Sequence, residues 1–307
     1  MRQTVRKPAY SAREVLLLSA PHTWVASVMP ALLSAALAYA DTGKADPLMS
    51  LWVLLACILM QSAANAFNDY ADYLKGTDSA ENSPDKNDAV IVYGMPPRAA
   101  LNWGIAFLLA AASLGAYISA AKGIVPLLIG LAGGAAIVWY TFGNRPASYL
   151  PVGELLSGFV MGGLIPLAGY YAQTERLAPG VLLDSLPQCL GIALIMLTNN
   201  SCDIERDKKS GRRTLACLLG AGKALILYRA MLVLWAVSPV LVLLFRGGRA
   251  GPAVCVAGLA IAARPLAGQL SLTPGQNIRP RAMRGIVRLN VFQSIGYMLA
   301  ILAEVWL

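Results

Sequence analysis

The sequence predicts an all-α membrane protein, about nine transmembrane helices in one bundle, and three observations predict it. First, 57% of the 307 residues are hydrophobic and only 13% charged, where a soluble domain carries about 25% charge. Second, the chain offers about nine apolar stretches separated by short polar loops, each near the roughly 20 residues that a spanning helix needs. Third, the stretches 48–66 and 181–197 are continuously apolar, which excludes the alternating strands of a transmembrane β-barrel. The helices consume most of the length, so residues 1–307 read as a single integral membrane domain.

Taken in order, the predicted spans are 15–40, 48–74, 99–121, 123–141, 149–172, 181–203, 221–246, 250–266 and 285–305. The first ends in Ala38-Tyr39-Ala40, which is similar to a signal-peptidase site. Its length of about 26 residues is too great for a signal h-region, so it reads as a retained span. The second and sixth spans end in acidic segments. Gly130 with Gly134 and Gly158 with Gly162 have GxxxG spacing, expected to serve close helix packing. The five cysteines show no CxxC spacing and read as reduced packing residues.

Lysine and arginine counts give the orientation. With the N-terminus inside, 19 fall in cytoplasmic segments, five in outer loops and Arg229 within a span. This positive-inside bias puts the C-terminus outside and accounts for the net charge of +9 without nucleic acid. An integral plasma membrane protein of a prokaryote, with its chemistry on the cytoplasmic side, is the expectation.

The acids distribute differently. Asp69, Asp72, Asp78, Glu81, Asp85 and Asp88 follow the second span, and Asp203, Glu205 and Asp207 the sixth, nine of 16 in two cytoplasmic regions. Such clustering asks for a cation. Asn65, Asn68, Asp72 and Gly76 recur at an offset of 135 as Asn200, Asp203, Asp207 and Gly211, which suggests two four-helix pseudo-repeats plus a ninth helix. Spacings of three and four place Asn65, Asn68, Asp69 and Asp72 on one helical face, and Asn199, Asn200, Asp203 and Asp207 on another. A carboxylate inside a span costs roughly 2.5 to 3.5 kcal/mol, so these stripes face a wet cavity or bound ions.

Both helices run toward the cytoplasm and present C-terminal ends, whose dipole is negative. Two such ends meeting with several carboxylates form a negative basin that a hard divalent cation neutralises. Mg2+ binds through a few carboxylates plus substrate phosphates. Lys75, Arg145, Lys208, Lys209, Arg212 and Arg213 lie nearby in sequence to take phosphate charge. The bland reading, a solvated surface, suits Glu81, Asp85 and Asp88. The paired register favours function for Asp69, Asp72, Asp203 and Asp207. Glu154 at a helix start suits either dipole complementation or a site role. His22 reads as structural or interfacial. Tyr70, Tyr73, Tyr140 and Tyr149 suit either an interfacial belt or stabilisation of an allylic cation through their ring faces.

The segments from Asn65 to Asp78 and from Asn199 to Ala216 resemble the two aspartate-rich motifs of intramembrane aromatic prenyltransferases. Within that superfamily the chain is most similar to the 1,4-dihydroxy-2-naphthoate polyprenyltransferases of menaquinone synthesis. Pro21-His22-Thr23, Tyr140-Thr141 and Gly153-Glu154-Leu155 add matches. The resemblance implies a cytoplasm-side cavity open to lipid, a polyprenyl diphosphate with its tail in the bilayer, and a pair of Mg2+ ions drawing off pyrophosphate. The allylic cation then attacks the acceptor ring, with loss of CO2 to leave demethylmenaquinone. Asp69, Asp72, Asp203 and Asp207 would be catalytic and, with Asn68, would ligate metal. Asn65, Asn68, Lys75, Tyr140, Arg145, Glu154, Asn199, Asn200, Lys208, Arg212 and Arg213 would bind substrates. Two positions depart from the family pattern: Ala20 replaces a basic residue and Cys202 an arginine. The expectation is that Arg145 or Arg206 substitutes for that arginine toward the acceptor's carboxylate. The alternatives are another acceptor such as 4-hydroxybenzoate, or a cation-coupled transporter. Against a transporter, the acids cluster at one membrane face. A lipid-head-group phosphotransferase lacks support because its D-G-x2-A-R signature is absent.

Overall fold

The computed structural model describes residues 10–77, 91 and 94–306. The loop acids Asp78, Glu81, Asp85 and Asp88 lie outside the described residues. Within them every regular element is helical: α1 (Ala12–Leu18), α2 (Val25–Thr42), α3 (Pro47–Leu74), α4 (Pro97–Lys122), α5 (Val125–Thr141), α6 (Gly153–Phe159), α7 (Ile165–Thr174), α8 (Gly180–Asp184), α9 (Leu186–Cys202), α10 (Ile204–Lys209), α11 (Leu215–Phe245), α12 (Ala250–Leu270) and α13 (Arg279–Trp306). Seven helical segments among the described residues are long and apolar enough to cross a membrane: α2, α3, α4, Gly153–Thr174, α11, α12 and Gln276–Trp306. The predicted spans 123–141 and 181–203 fall on α5 and α9, of 17 residues each. At 1.5 Å per residue these reach about 25 Å, short of a hydrocarbon core of about 30 Å. By length and composition seven described segments qualify as spans, while α5 and α9 stand at the short end of the spanning range and still join the two ends of the bundle, from Lys122 to Thr141 and from Asp184 to Asp203.

Local chemistry explains the other departures. The span 15–40 is two helices, because Pro21 disfavours the α conformation at the preceding residue. Ala20 instead takes φ 46°, and a 3-10 turn over Pro21–Thr23 leads into α2. The Ser19 carbonyl at this break accepts from Trp24 Nε1 at 3.1 Å and from Asn65 Nδ2 at 2.8 Å, so an apolar setting leaves it satisfied. Between α6 and α7 the chain widens into a π turn, Val160–Leu164, just before Pro166, which has no N–H to donate. α11 bends at Gly220, φ 71°, where the sequence predicts the span to begin.

α3 packs on α4, α9 on α11, α12 on α13, and α2 on α7 and α13. One core, with Leu194, Leu197, Tyr228, Leu232, Trp235 and Ile286, lies among α9, α11 and α13. The two GxxxG pairs behave differently. A Cβ on Gly158 would lie 2.7 Å from the Cys189 carbonyl oxygen, so α6 and α9 touch through backbone. Gly130 and Gly134 face open space, which corrects the expectation that they pack a helix in this fold. At the end of the bundle opposite the aspartate motifs, Arg246 bridges Asp41 and Asp184, each at 3.3 Å, and Tyr170 donates to Asp41 at 3.0 Å.

Candidate active site

The two aspartate segments end alike. Lys75, Gly76 and Thr77 donate backbone N–H groups to Ala71, Tyr73 and Asp72, and Ser210, Gly211 and Arg212 donate to Arg206, Lys208 and Asp207. The register is the offset of 135 again. Gly76 and Gly211 both sit at positive φ, 69° and 77°, the left-handed conformation that glycine adopts without strain and that closes a helix. Ahead of these turns the segments differ: α3 runs unbroken through the first, whereas α9 gives way to α10 at Asp203, φ −105°. The single helical face expected for Asn199 through Asp207 is thus bent, and Asp203 and Asp207 are buried.

Arg212 joins the two segments. Its guanidinium donates to Asp72 and lies 3.8 Å from Asp207. It also stacks at 5.1 Å over the Tyr149 ring, which carries the Lys75 ammonium at 4.5 Å. Lys75 donates to the Thr141 carbonyl at 3.3 Å, and the Thr141 hydroxyl donates to Asn68 Oδ1 at 3.0 Å. The Arg213 backbone N–H donates to the Tyr149 carbonyl at 2.9 Å. Arg279, the first residue of α13, binds Asp203 Oδ2 at 3.1 Å and Asn199 Oδ1 at 2.9 Å. Asn200 donates to the buried Glu154 at 2.9 Å.

Several residues in the sequence-predicted set therefore meet: Asn68, Asp72, Lys75, Asn199, Asp203, Asp207 and Arg212, with the Asn200 and Glu154 pair beside them. Tyr140 reaches toward Gly153 at the start of α6, and Asp69 lies half-buried on α3. Other members stand apart. Asn65 donates to Ser19 and Thr23 and so braces the helix break. Lys208 pairs with Glu205 at 3.2 Å, both exposed, and Arg145 and Arg213 are exposed. Arg206 lines a polar cavity with Gly76, Thr77, Lys209 and Gln276, at the closing turns of both segments. Arg279, which the sequence did not single out, is the cation paired with Asp203 and Asn199, while Arg206 acts electrostatically on Asp207. No local signal identifies Arg279, because it lies 80 positions from Asn199.

Among the described residues no three His, Cys, Asp or Glu side chains converge on one point. In this arrangement Arg212 pairs with Asp72 and Asp207, and Arg279 with Asp203. Among the buried carboxylate oxygens without a hydrogen-bond partner are Asp203 Oδ1 and Glu154 Oε2. An unsatisfied buried acceptor costs about 1 to 3 kcal/mol, and an all-oxygen set of this kind suits a hard cation. Burial pushes the Asp207 carboxyl up to about 6, against which Arg212 lowers it and Asp203 raises it. Its ionised form is thus strained in the fold: this group's contribution to stability is present at acid pH and lost as pH rises through about 6.

The UbiA prenyltransferase family profile matches residues 27–284. The 1,4-dihydroxy-2-naphthoate octaprenyltransferase of Bacillus subtilis is 36% identical over 291 residues, covering 92% of this chain and 90% of its own. The Haemophilus influenzae protein of the same name is 30% identical over 227 residues, 68% of this chain and 73% of its own. A UbiA homologue from Archaeoglobus fulgidus bound to DMAPP and Mg2+ shares the fold, with a TM-score of 0.64 and 16% identity over 96% of this chain and 99% of its own. With paired aspartate segments closing one end of a membrane-type bundle, and a family match across most of its length, the chain belongs to the UbiA prenyltransferase family and is a prenyltransferase.

Proposed function

We propose that the protein transfers a polyprenyl group from a polyprenyl diphosphate to 1,4-dihydroxy-2-naphthoate, with release of pyrophosphate and CO2, leaving demethylmenaquinone in its quinol form. The observation that carries this acceptor is the 36% identity to the B. subtilis 1,4-dihydroxy-2-naphthoate octaprenyltransferase over 90% of that protein. Asp72, Asp203 and Asp207, with Asn68 and Asp69 beside them, would hold one or two Mg2+ ions. Bound there, Mg2+ neutralises the diphosphate and stabilises it as a leaving group. Lys75 and Arg212, both seated on Tyr149, bind phosphate oxygens, and Arg212 does so with a planar fork. Glu154 Oε2, oriented by Asn200 through the other oxygen, accepts a hydrogen bond from an acceptor hydroxyl and enriches the ring for attack. Arg279, already paired with Asp203 and Asn199, pairs with the acceptor's carboxylate. The long apolar helices support an integral membrane protein, and we place the site on the cytoplasmic side of a prokaryotic plasma membrane, with the N-terminus inside.

The test is transfer of labelled polyprenyl diphosphate into 1,4-dihydroxy-2-naphthoate by the purified protein, with Mg2+ or with a chelator. Mg2+-dependent transfer is expected, and none in either condition contradicts the proposal. Arg279→Ala should raise the naphthoate KM roughly ten- to 150-fold, the worth of about 1.5 to 3 kcal/mol for a charge-assisted hydrogen bond. The KM for the diphosphate should stay near wild type; parallel rises in both would remove Arg279 from the acceptor. A proton competes with the cation for Asp207 below pH of about 6. The half-saturating Mg2+ concentration should therefore climb as pH falls from 6 to 5 and stay level from 7 to 8. A flat profile across the whole range would mean Asp207 is not a ligand.

A further inference from the structure

We propose that Arg212 is an internal counter-cation that makes metal loading conditional on the diphosphate. This rests on Asp72 and Asp207 being metal ligands. The guanidinium already holds carboxylate oxygens from both segments, Asp72 Oδ1 by a charge-assisted hydrogen bond and Asp207 Oδ1 at 3.8 Å. It is seated as well as paired. Its ring partner is Tyr149 at 5.1 Å, its backbone N–H donates to the Asp207 carbonyl, and the adjacent Arg213 N–H donates to the Tyr149 carbonyl. Mg2+ requires carboxylate oxygens at about 2.0 to 2.1 Å in near-octahedral geometry. A metal at that distance from Asp72 and Asp207 would stand beside the Arg212 guanidinium, a like charge drawing on the same two carboxylates, so the two cations oppose each other.

A diphosphate changes the balance because it offers Arg212 a second anionic partner of matching fork geometry. Metal arriving alone weakens the Arg212 pairs with two carboxylates and offers the guanidinium no new partner, whereas metal arriving with the diphosphate brings the anion that Arg212 can pair with. The result is a positive coupling between the two ligands, and linkage makes it reciprocal: each tightens the other by the same factor. Lys75, on the same tyrosine, adds phosphate charge neutralisation without touching the contested carboxylates.

The experiment measures Mn2+ bound to the detergent-solubilised full chain by electron paramagnetic resonance. It is run with Mn2+ alone and with Mn2+ plus a prenyl thiolodiphosphate, in which sulfur replaces the scissile oxygen, against a protein-free blank at each concentration. Wild-type protein should bind Mn2+ at least about five-fold tighter when the analogue is present. Arg212→Gln should bind Mn2+ alone at least about five-fold tighter than wild type and show little further gain from the analogue. Tyr149→Leu leaves every charge in place and removes the seat, so it should shift Mn2+ affinity in the same direction by a smaller factor. A side chain that merely supports the fold would weaken Mn2+ binding when replaced. Equal or weaker binding of Mn2+ alone in Arg212→Gln, or in Tyr149→Leu should the first variant not fold, overturns the proposal while leaving the metal site standing. Unchanged Mn2+ binding in both Asp72→Asn and Asp207→Asn overturns the ligand assignment and the proposal with it.

Discussion

Asp207→Asn and Asp72→Asn are each expected to lower kcat for prenyl transfer by at least about 100-fold in protein that still folds. Loss of a metal ligand at a diphosphate forfeits several kcal/mol of leaving-group stabilisation, and each 1.36 kcal/mol is tenfold in rate. The two variants should differ in stability. Asp207 is buried and its ionised form disfavoured by that burial, so a neutral isostere there relieves desolvation. Asp72 is the hydrogen-bond acceptor of Arg212, and its replacement leaves a partly buried guanidinium with Asp207 alone at 3.8 Å. Thermal denaturation in detergent should therefore show Asp207→Asn at or above wild type and Asp72→Asn below it. Near-normal transfer by both variants, with Mg2+ still required, would move the metal to other ligands.

The second large effect falls on the scaffold. Gly162→Val should destabilise the solubilised protein by about 3 kcal/mol or more, the upper end of the overpacking range, and lower its Tm and yield accordingly. A Cβ at Gly162 would overlap the backbone N and Cα of Cys189 and lie 2.7 Å from the Gln188 carbonyl carbon. Those atoms belong to the buried helix α9 and cannot rotate away, as the end of a flexible side chain can. A Cβ at Gly130 would meet no atom within 4 Å, so Gly130→Val serves as the control, with little effect expected. Equal melting of the two variants would show that the π turn and α9 do not approach as described.

These two glycine pairs show where sequence reading stops. Their spacing is identical, but spacing states only that two small residues share a helix face, and a partner on that face is a tertiary fact. The aspartate segments were more legible because their chemistry is local: spacings of three and four set a face, and the offset of 135 set a correspondence that returns in the two glycine-closed turns. The bend at Asp203 was hidden, since no proline or glycine marks it. Arg279 was hidden by distance along the chain, for only the packing of α13 against α9 brings it to Asn199 and Asp203. The sequence neighbourhood of Arg212 predicts a phosphate ligand. Its bond to Asp72, 140 positions away, depends on the two segments closing the same end of the bundle.

The most direct measurement is a competition assay read by product mass. Purified protein with Mg2+ and one polyprenyl diphosphate receives equal concentrations of 1,4-dihydroxy-2-naphthoate, a carboxylate-free naphthoquinol and 4-hydroxybenzoate. One dominant product is expected, with the mass of the naphthoate plus the prenyl group less CO2, and it should be lost in Asp207→Asn. A dominant product from the quinol or from 4-hydroxybenzoate would contradict the proposed acceptor. Undiminished product from Asp207→Asn would contradict the site itself.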